Sequence, residues 1–171
     1  MRDGRLNLSN KRHIKPIYNR SKLLLNSLYG VKEVEFIYPT ALKWACKRCG
    51  ACCADPKNRE RRILLLKSDL ERFLLNELFP NDGTKPVKDQ VPFVAEMKKT
   101  NGSCVLLTEN GCKLYGSRAL LCRMYPFWVE RQDALLIVRH DDDCPGFGSG
   151  EPVTETVFRK LLALAIEALE S

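Results

Sequence analysis

Hydrophobic residues recur at helical spacing in the middle of the chain. They follow one another every three or four positions, at Leu70, Phe73, Leu74 and Leu78. Ser68 and Glu71, three residues apart at the start of this stripe, match the pattern of a helix capping box. Pro80 cannot continue a helix. The pattern therefore predicts an amphipathic helix over residues 69–79 that buries its apolar stripe.

The C-terminal segment shows the same spacing and predicts a second amphipathic helix over residues 153–169. Pro152 suits the first turn of this helix. A shorter helix is expected at residues 21–29, where it would stop at Gly30. The buried face of the C-terminal helix is expected to consist of Val157, Phe158, Leu161, Leu162, Ala165 and Leu169.

Short apolar runs separated by turn residues indicate strands and hairpins. Residues 34–38 alternate like a strand. The expected turns are Asn101-Gly102, Asn110-Gly111 and Gln132-Asp133, and the strands beside the first and the third cover residues 91–98, 104–107, 127–130 and 134–138. Together these elements predict a small single domain of the α+β class, with short hairpins, a capped central helix and a C-terminal amphipathic helix around a cysteine metal site.

Composition narrows the class of protein. The chain has 171 residues, of which 44% are hydrophobic and eight are cysteines. This length suits one domain. No apolar run approaches the ~20 residues that cross a bilayer, and the N-terminal segment lacks the apolar stretch of a secretory signal, so we expect a cytoplasmic protein without a membrane partner. Eight cysteines in a reducing compartment indicate metal or redox chemistry, with disulfides as the alternative in a hyperthermophile.

The positive charge is concentrated at the N-terminus. The net charge is +7, and residues 1–22 carry all but one of these charges. We therefore divide the chain into a basic N-terminal extension, residues 1–42, and a cysteine-cluster metal-binding domain, residues 43–171. The basic segment would contact RNA, a ribosome or an acidic protein, or it is only a solvated extension.

The spacing of the cysteines carries the chemistry. Cys46, Cys49 and Cys52 are three apart, and Cys53 follows directly. A Cys-x-x-Cys turn brings two sulfurs to one side of a tight loop, where both can bind one metal. The three-cysteine spacing matches the first ligands of a bacterial ferredoxin, and Cys144, followed by proline, resembles the way in which that pattern ends.

Residues after this run complete a resemblance to a known family. Gly111-Cys112-Lys-Leu-Tyr115 and the segment 118–127, in which Cys122-Arg-Met-Tyr-Pro-Phe follows Arg118, resemble the YkgJ-type cysteine-cluster family, described as a zinc- or iron-chelating domain. The resemblance covers about residues 43–147. The family usually has Arg-Pro where this chain has Arg118-Ala119. The resemblance implies a metal site whose cysteine ligands come from all these segments.

All eight cysteines are therefore candidate metal ligands, and for a single cysteine the alternative is a small buried hydrophobic residue. Four thiolates around a metal carry net negative charge, which favours nearby cations and hydrogen-bond donors. Candidates for this supporting role are Arg118, Arg123 and Tyr115, with Lys47 and Arg48 as further cations. The candidate ligands are Cys46, Cys49, Cys52, Cys53, Cys104, Cys112, Cys122 and Cys144.

We expect Cys122 to reach the same metal region as the Cys46 to Cys53 run, because that run cannot complete two four-coordinate sites alone. Phe127 and Trp128 would anchor this segment in the core.

The predicted function is a metal-binding protein, accessory or structural, that holds a [4Fe–4S] cluster or Zn²⁺ through thiolates. Two alternatives stay open. One is an iron-sulfur-dependent oxidoreductase or transferase, for which His13 and His140 are the weak acid-base candidates. The other is an RNA- or ribosome-associated protein with an architectural metal site.

Overall fold

The computed structural model describes residues 17–27 and 30–170, and it confirms the α+β class. Its helices are α1 Lys67–Leu74, α2 Leu120–Met124 and α3 Glu155–Glu170, with single 3₁₀ turns at Ala51–Cys53 and Tyr115–Ser117. None of the helices in these ranges is long and apolar enough to cross a membrane. Its strands are β1 Tyr18–Ser27, β2 Gly30–Pro39, β3 Lys43–Trp44, β4 Leu64–Leu65, β5 Thr84–Pro86, β6 Ala95–Met97, β7 Lys99–Thr100, β8 Ser103–Cys104, β9 Leu107–Thr108, β10 Gly111–Cys112, β11 Phe127–Gln132, β12 Leu135–His140 and β13 Phe147–Pro152.

The largest sheet joins the two ends of the described chain. Its strand order is β1-β2-β12-β11, with β2 and β12 parallel and the other two pairs antiparallel. Strands β1 and β2 come from the segment 1–42 that we expect to be a basic extension, and β11 and β12 come from the remainder. Residues 1–16, which carry most of the predicted basic segment, lie outside the described residues, and the division at residue 42 stays a prediction.

The helix predicted at residues 21–29 is wrong in the described residues, which form β1 up to Ser27. Leu23 and Leu25 are partly buried while Leu24 between them is 64% exposed, which is the alternation of a strand. Leu23 pairs with Val34 of β2 and packs against the core. Pairing with β2 therefore overrides the helical preference of three consecutive leucines. The strand predicted at residues 34–38 is confirmed within β2.

Helix α1 is shorter than predicted and begins earlier. It starts at Lys67 and ends at Leu74 instead of spanning residues 69–79, and its first turn is capped by Asp69, not by Ser68. Leu70 and Phe73 pack into the core, but Leu74 and Leu78 are mostly exposed. The chain turns back after the helix so that Phe79 stacks on Phe73, with ring centroids 5.2 Å apart. This aromatic contact requires the helix to end before residue 79.

The predicted turns are present, although the first hairpin is smaller than expected. Asn101 and Gly102 both have positive φ, 52° and 74°, and they connect β7 to β8 in the geometry that favours this dipeptide. The strand expected over residues 91–98 is wrong at both ends, because β6 covers only Ala95–Met97 and pairs with β4 and β5. Strands β9 and β10 pair across the second turn, and β11 and β12 form the last hairpin.

Helix α3 packs on the large sheet. Phe158, Leu162 and Ala165 of the predicted face are buried, and Leu161 is partly buried. Val157 and Leu169 are exposed, and Pro152 ends β13 instead of lying in the first helical turn. The core beneath α3 contains Phe36, Tyr38, Phe127 and Val138. In a smaller cluster, Leu120 and Met124 of α2 and Ala165 of α3 pack with Leu66, the residue before α1.

A buried carboxylate connects α1 to α2. Asp69 is 3% exposed, and its oxygens accept hydrogen bonds from the backbone N–H of Leu66 at 3.3 Å and of Leu120 at 3.2 Å. The Arg72 guanidinium donates to the same carboxylate at 2.6 Å. Because the two backbone donors belong to the first turns of different helices, this one side chain fixes the start of α2 relative to α1.

Arg72 extends this connection to the segment before α2. Its guanidinium also donates to the carbonyl oxygens of Ser117 and Arg118, at 3.3 and 3.1 Å. The segment that leads into α2 is thus held at successive residues.

We predict that Asp69→Ala lowers the free energy of unfolding by about 3 kcal/mol, because buried backbone donors and a guanidinium lose their acceptor. Chemical denaturation followed by circular dichroism would measure the change. The control, at the other end of the same helix, is Leu75→Ala, whose side chain is 88% exposed and whose effect should stay within about 0.5 kcal/mol. A loss below about 1 kcal/mol in Asp69→Ala would show that apolar contacts alone hold α2.

Candidate metal centre

All eight cysteines line one cavity of about 240 Å³. All eight are free thiols. They reach the cavity from separate parts of the chain: Cys46 and Cys49 from the loop after β3, Cys52 and Cys53 from the first 3₁₀ turn, Cys104 from β8, Cys112 from β10, Cys122 from α2 and Cys144 from the turn between β12 and β13. The fold therefore collects thiols that are separated by up to about a hundred residues in sequence.

The first cysteine run curls because its backbone turns at two left-handed residues. Arg48 has φ 52° and Gly50 has φ 73°. The carbonyl of Gly50 accepts the N–H of Cys53 at 2.8 Å, which closes the 3₁₀ turn. The positive φ at position 50 favours glycine, and a Cβ there would lie 2.8 Å from a methyl carbon of Leu107, whose side chain would have to move.

The adjacent cysteines converge. The side chains of neighbouring residues generally diverge. The sulfurs of Cys52 and Cys53 are only 3.9 Å apart, close to the ~4 Å that separates thiolates on one metal. The hydrogen bond between them lowers the pKa of Cys52, with a smaller contribution from the Arg118 charge, and it raises the pKa of Cys53. The pair can therefore give up its first proton easily and its second only with difficulty.

Burial favours the neutral form of two thiols, those of Cys104 and Cys122. Burial raises the pKa of Cys104 and of Cys122, and the nearby charges of Cys52 and Cys112 raise both further. Metal ligands must be thiolates, so binding a metal at these residues releases protons. Cys122 lines the same cavity as Cys52 and Cys53, and that it shares a metal with them stays a prediction.

The outer thiols accept hydrogen bonds from aromatic side chains. Tyr115 donates its hydroxyl to the sulfur of Cys46 at 3.5 Å, and the indole N–H of Trp44 donates to the sulfur of Cys144 at 3.3 Å. Such donors stabilise thiolates. Sequence reasoning missed the role of Trp44, because its contact partner lies a hundred residues further along the chain.

Cations surround the cavity. Lys47, Arg48 and Arg118 line it, and its lining in the described chain includes neither aspartate nor glutamate. Two guanidinium groups lie over the Tyr115 ring, that of Arg118 at 3.8 Å and that of Arg48 at 4.5 Å from its centroid. Arg118 also donates to the carbonyl oxygens of Tyr115 and of Cys122, at 3.0 and 3.4 Å. This distribution of charge suits a negatively charged thiolate centre.

Two residues considered from sequence do not line the cavity. Arg123 is exposed on α2 and is not part of the cavity lining. His140 ends β12, where its Nε2 is 3.0 Å from a carboxylate oxygen of Asp142, and it does not line the cavity either. His13 lies outside the described residues.

The eight thiols line the cavity, but their side chains are not grouped around the position of one metal ion in the described chain. Over residues 17–27 and 30–170, no three histidine, cysteine, aspartate or glutamate side chains are already arranged around the position of a single ion. The donor set nevertheless fits a thiolate-bound metal, because the cavity combines eight cysteine sulfurs with cations and hydrogen-bond donors.

Comparison with known proteins gives the same chemistry. A protein named "Uncharacterized protein MJ0661", from Methanocaldococcus jannaschii, is 27% identical over 161 residues, which cover 88% of this chain and 81% of that protein. No solved structure matches the chain. The profile of the CxxCxxCC family, described as "Putative zinc- or iron-chelating domain", matches residues 45–145, more than half of the chain and the whole span of the cysteines. The chain therefore belongs to the CxxCxxCC family and carries its metal-binding domain.

Proposed function

We propose that the chain holds an iron-sulfur cluster, of the [4Fe–4S] type, in the cysteine cavity, and that the cluster has a structural or accessory role. The observation that carries this proposal is the convergence of all eight cysteines on one cavity that three cations line. A zinc site is the alternative, because both metals accept four thiolates in tetrahedral geometry.

The size of the cavity favours a cluster over one zinc ion. A structural zinc site is closed, with four sulfurs directly around one ion. About 10–15 Å³ is enough to admit a water molecule, whereas this cavity measures about 240 Å³. Cys46, Cys49 and Cys52 also keep the spacing of the first ferredoxin ligands, and Cys144 brings the remote Cys-Pro to the same cavity.

The elements around the cavity support a structural role. Strands β7 to β10 have two residues each, so they bury little surface and make few backbone hydrogen bonds. Two of them carry Cys104 and Cys112. A bound cluster or zinc ion would supply thiolate–metal bonds that connect these short elements, and in the case of a cluster it would add a one-electron redox couple.

We predict that Cys49→Ser and Cys122→Ser each lower the metal content per chain at least about twofold and lower stability with it, because the binding energy of such a site is folding energy. Anaerobic purification, elemental analysis and a visible absorption spectrum provide the readouts. Met97→Leu is the matched control, since Met97 lines the cavity without a thiolate and the change nearly conserves volume. A brown protein with iron and sulfide supports the proposal.

Two results would contradict this assignment. A colourless protein loaded with zinc would replace the cluster by a zinc site. An unchanged metal content and melting temperature in both cysteine variants would remove these cysteines from the ligand set.

We predict that removal of residues 1–16 leaves metal content and stability unchanged, because Cys46 is the first thiol and β1 begins at Tyr18. Removal of residues 1–22 should lower stability, since it deletes half of β1 together with the 2.6 Å hydrogen bond from Ser21 to Glu155 of α3. Melting curves and elemental analysis would measure both. Metal loss after the shorter deletion would show that residues 1–16 contribute to the site.

The shorter deletion, of residues 1–16, also tests the predicted partner of the basic segment. If this segment contacts RNA, binding to RNA should decrease with salt and disappear when residues 1–16 are removed. RNA binding that persists in the shortened chain would assign the contact to other residues.

A further inference from the structure

A second pocket, of about 300 Å³, lies directly beside the cysteine cavity. Cys52, Cys122 and Tyr125 line both spaces and form the wall between them. We call the second space the arginine pocket, because Arg59, Arg61 and Arg62 line it. Its other lining residues are Ile63, Leu121, Phe127, Trp128 and Asp141. Whatever binds in this pocket contacts the thiol wall from the side opposite the cavity.

One buried carboxylate orients two of these arginines. An oxygen of Asp141, 8% exposed, accepts hydrogen bonds from terminal nitrogens of Arg59 at 2.5 Å and of Arg61 at 3.0 Å. Each guanidinium uses one nitrogen in this contact. A guanidinium has five N–H donors, so both arginines keep donors for another acceptor.

Two buried donors at this wall lack a well-directed partner. The Nε of Arg61 and the hydroxyl of Tyr125 are both buried, and neither has a hydrogen-bond partner of good geometry among the described residues. Burial raises the pKa of this hydroxyl, and the Arg61 side chain is close enough to it to offset part of that rise. The Arg61 guanidinium lies 4.6 Å from the centroid of the Tyr125 ring, so the two groups are neighbours. Buried polar atoms are almost always satisfied in folded proteins. Two adjacent unsatisfied donors therefore indicate a missing acceptor.

The charges favour an anion as this acceptor. The Arg62 guanidinium is occupied by Glu96 at 2.6 and 2.9 Å, so it adds little free charge. Arg59 and Arg61 share the single buried carboxylate of Asp141, so two cations face one buried carboxylate at that point. The charge of Arg61 also helps to lower the pKa of Cys52 and of Asp55, which offset part of it. Asp143 approaches Arg59 at 3.7 Å, but its side chain is 71% exposed and compensates this charge only weakly.

The lining of the arginine pocket also includes apolar side chains, namely Ile63, Leu121, Phe127 and Trp128. Phe127 and Ile63 are buried, but Trp128 is 40% exposed. An inorganic ion alone would leave Trp128 uncovered, whereas a flat organic group would cover it.

We propose that the arginine pocket binds a small organic anion, with its oxyanion at Arg59, Arg61 and the Tyr125 hydroxyl and its apolar body on Phe127 and Trp128. The oxyanion is a phosphate or a carboxylate. The bound molecule lies against Cys52 and Cys122, so the pocket provides a ligand site next to the proposed cluster without using the cluster for binding.

Isothermal titration of the full chain with phenyl phosphate, benzoate and uncharged benzyl alcohol tests this proposal. Phenyl phosphate or benzoate should bind, and benzyl alcohol should not.

Arg59→Gln should weaken the binding about tenfold, because it removes a charge-assisted hydrogen bond. Tyr125→Phe should weaken it several-fold while the melting temperature stays the same or rises, because only an unsatisfied hydroxyl is removed. Arg131→Gln, at an exposed position near the end of β11, is the charge-matched control and should bind like the wild type.

The outcomes separate the possibilities. Preferred binding of phenyl phosphate identifies a phosphate ligand, and preferred binding of benzoate identifies a carboxylate; both support the proposal. Failure of both probes to bind, equal loss in Arg131→Gln, or unchanged affinity in both Arg59→Gln and Tyr125→Phe would overturn it. Metal is determined in the same samples, so anion binding by a chain that contains no metal would contradict the proposed cluster and leave the anion site standing.

Discussion

The buried carboxylate of Asp69 is the contact on which the arrangement of the cysteine cavity depends. Helix α2 has five residues, fewer than the ~12–15 that an isolated helix needs to be even marginally stable, so its position must be imposed by the rest of the fold. Asp69 imposes it by accepting the N–H of Leu120 together with that of Leu66. A buried carboxylate is costly unless its oxygens are satisfied, and here two backbone donors and Arg72 satisfy them. Moving α2 would break the hydrogen bond between Leu120 and Asp69 and leave a buried carboxylate oxygen unsatisfied. This cost keeps Cys122 and Arg118 in place at the cavity.

Electrostatics at the cavity reflect a balance of two opposing effects. Burial raises the pKa of Cys122 and Cys104 and keeps them protonated, which avoids several negative charges in one small space. The surrounding guanidinium groups and the hydrogen bond between Cys52 and Cys53 act in the opposite direction at Cys52. A bound metal would change this balance, because its own charge stabilises thiolates far more than any arginine does. Without a metal, the cavity favours neutral thiols at Cys104 and Cys122. With a bound metal, it would favour thiolates.

Local patterns in the sequence predicted the features that depend on local chemistry. The Asn101-Gly102 turn was predictable because its two residues tolerate positive φ, and the cysteines could be grouped by their spacing and by resemblance to a family. Other features depend on contacts between distant residues. The leucines of β1 form a strand because β2 pairs with them, and α1 ends early because Phe79 returns to stack on Phe73. The arginine pocket had no sequence signal, since Arg59 and Arg61 meet Asp141 only in the folded chain.

In the described part of the chain, the buried aspartates Asp69 and Asp141 both bind arginines, but their surroundings differ: one site is architectural and the other is suited to binding a ligand. Asp69 brings together backbone N–H groups of two helices, and the Arg72 guanidinium beside it is used again by two carbonyl oxygens. The groups at the Asp69 site satisfy one another, and their role is to hold α1 and α2 rigidly together. Asp141 instead orients two guanidinium groups through one nitrogen each, and the Nε of Arg61 stays buried without an acceptor. A preoriented but incomplete set of donors binds a ligand at little cost in side-chain entropy, because its geometry is already fixed. The wall formed by Cys52 and Cys122 then lies between a cavity suited to a metal and a pocket suited to an anion, and the two sites are close enough for the occupant of one to affect the charge felt in the other.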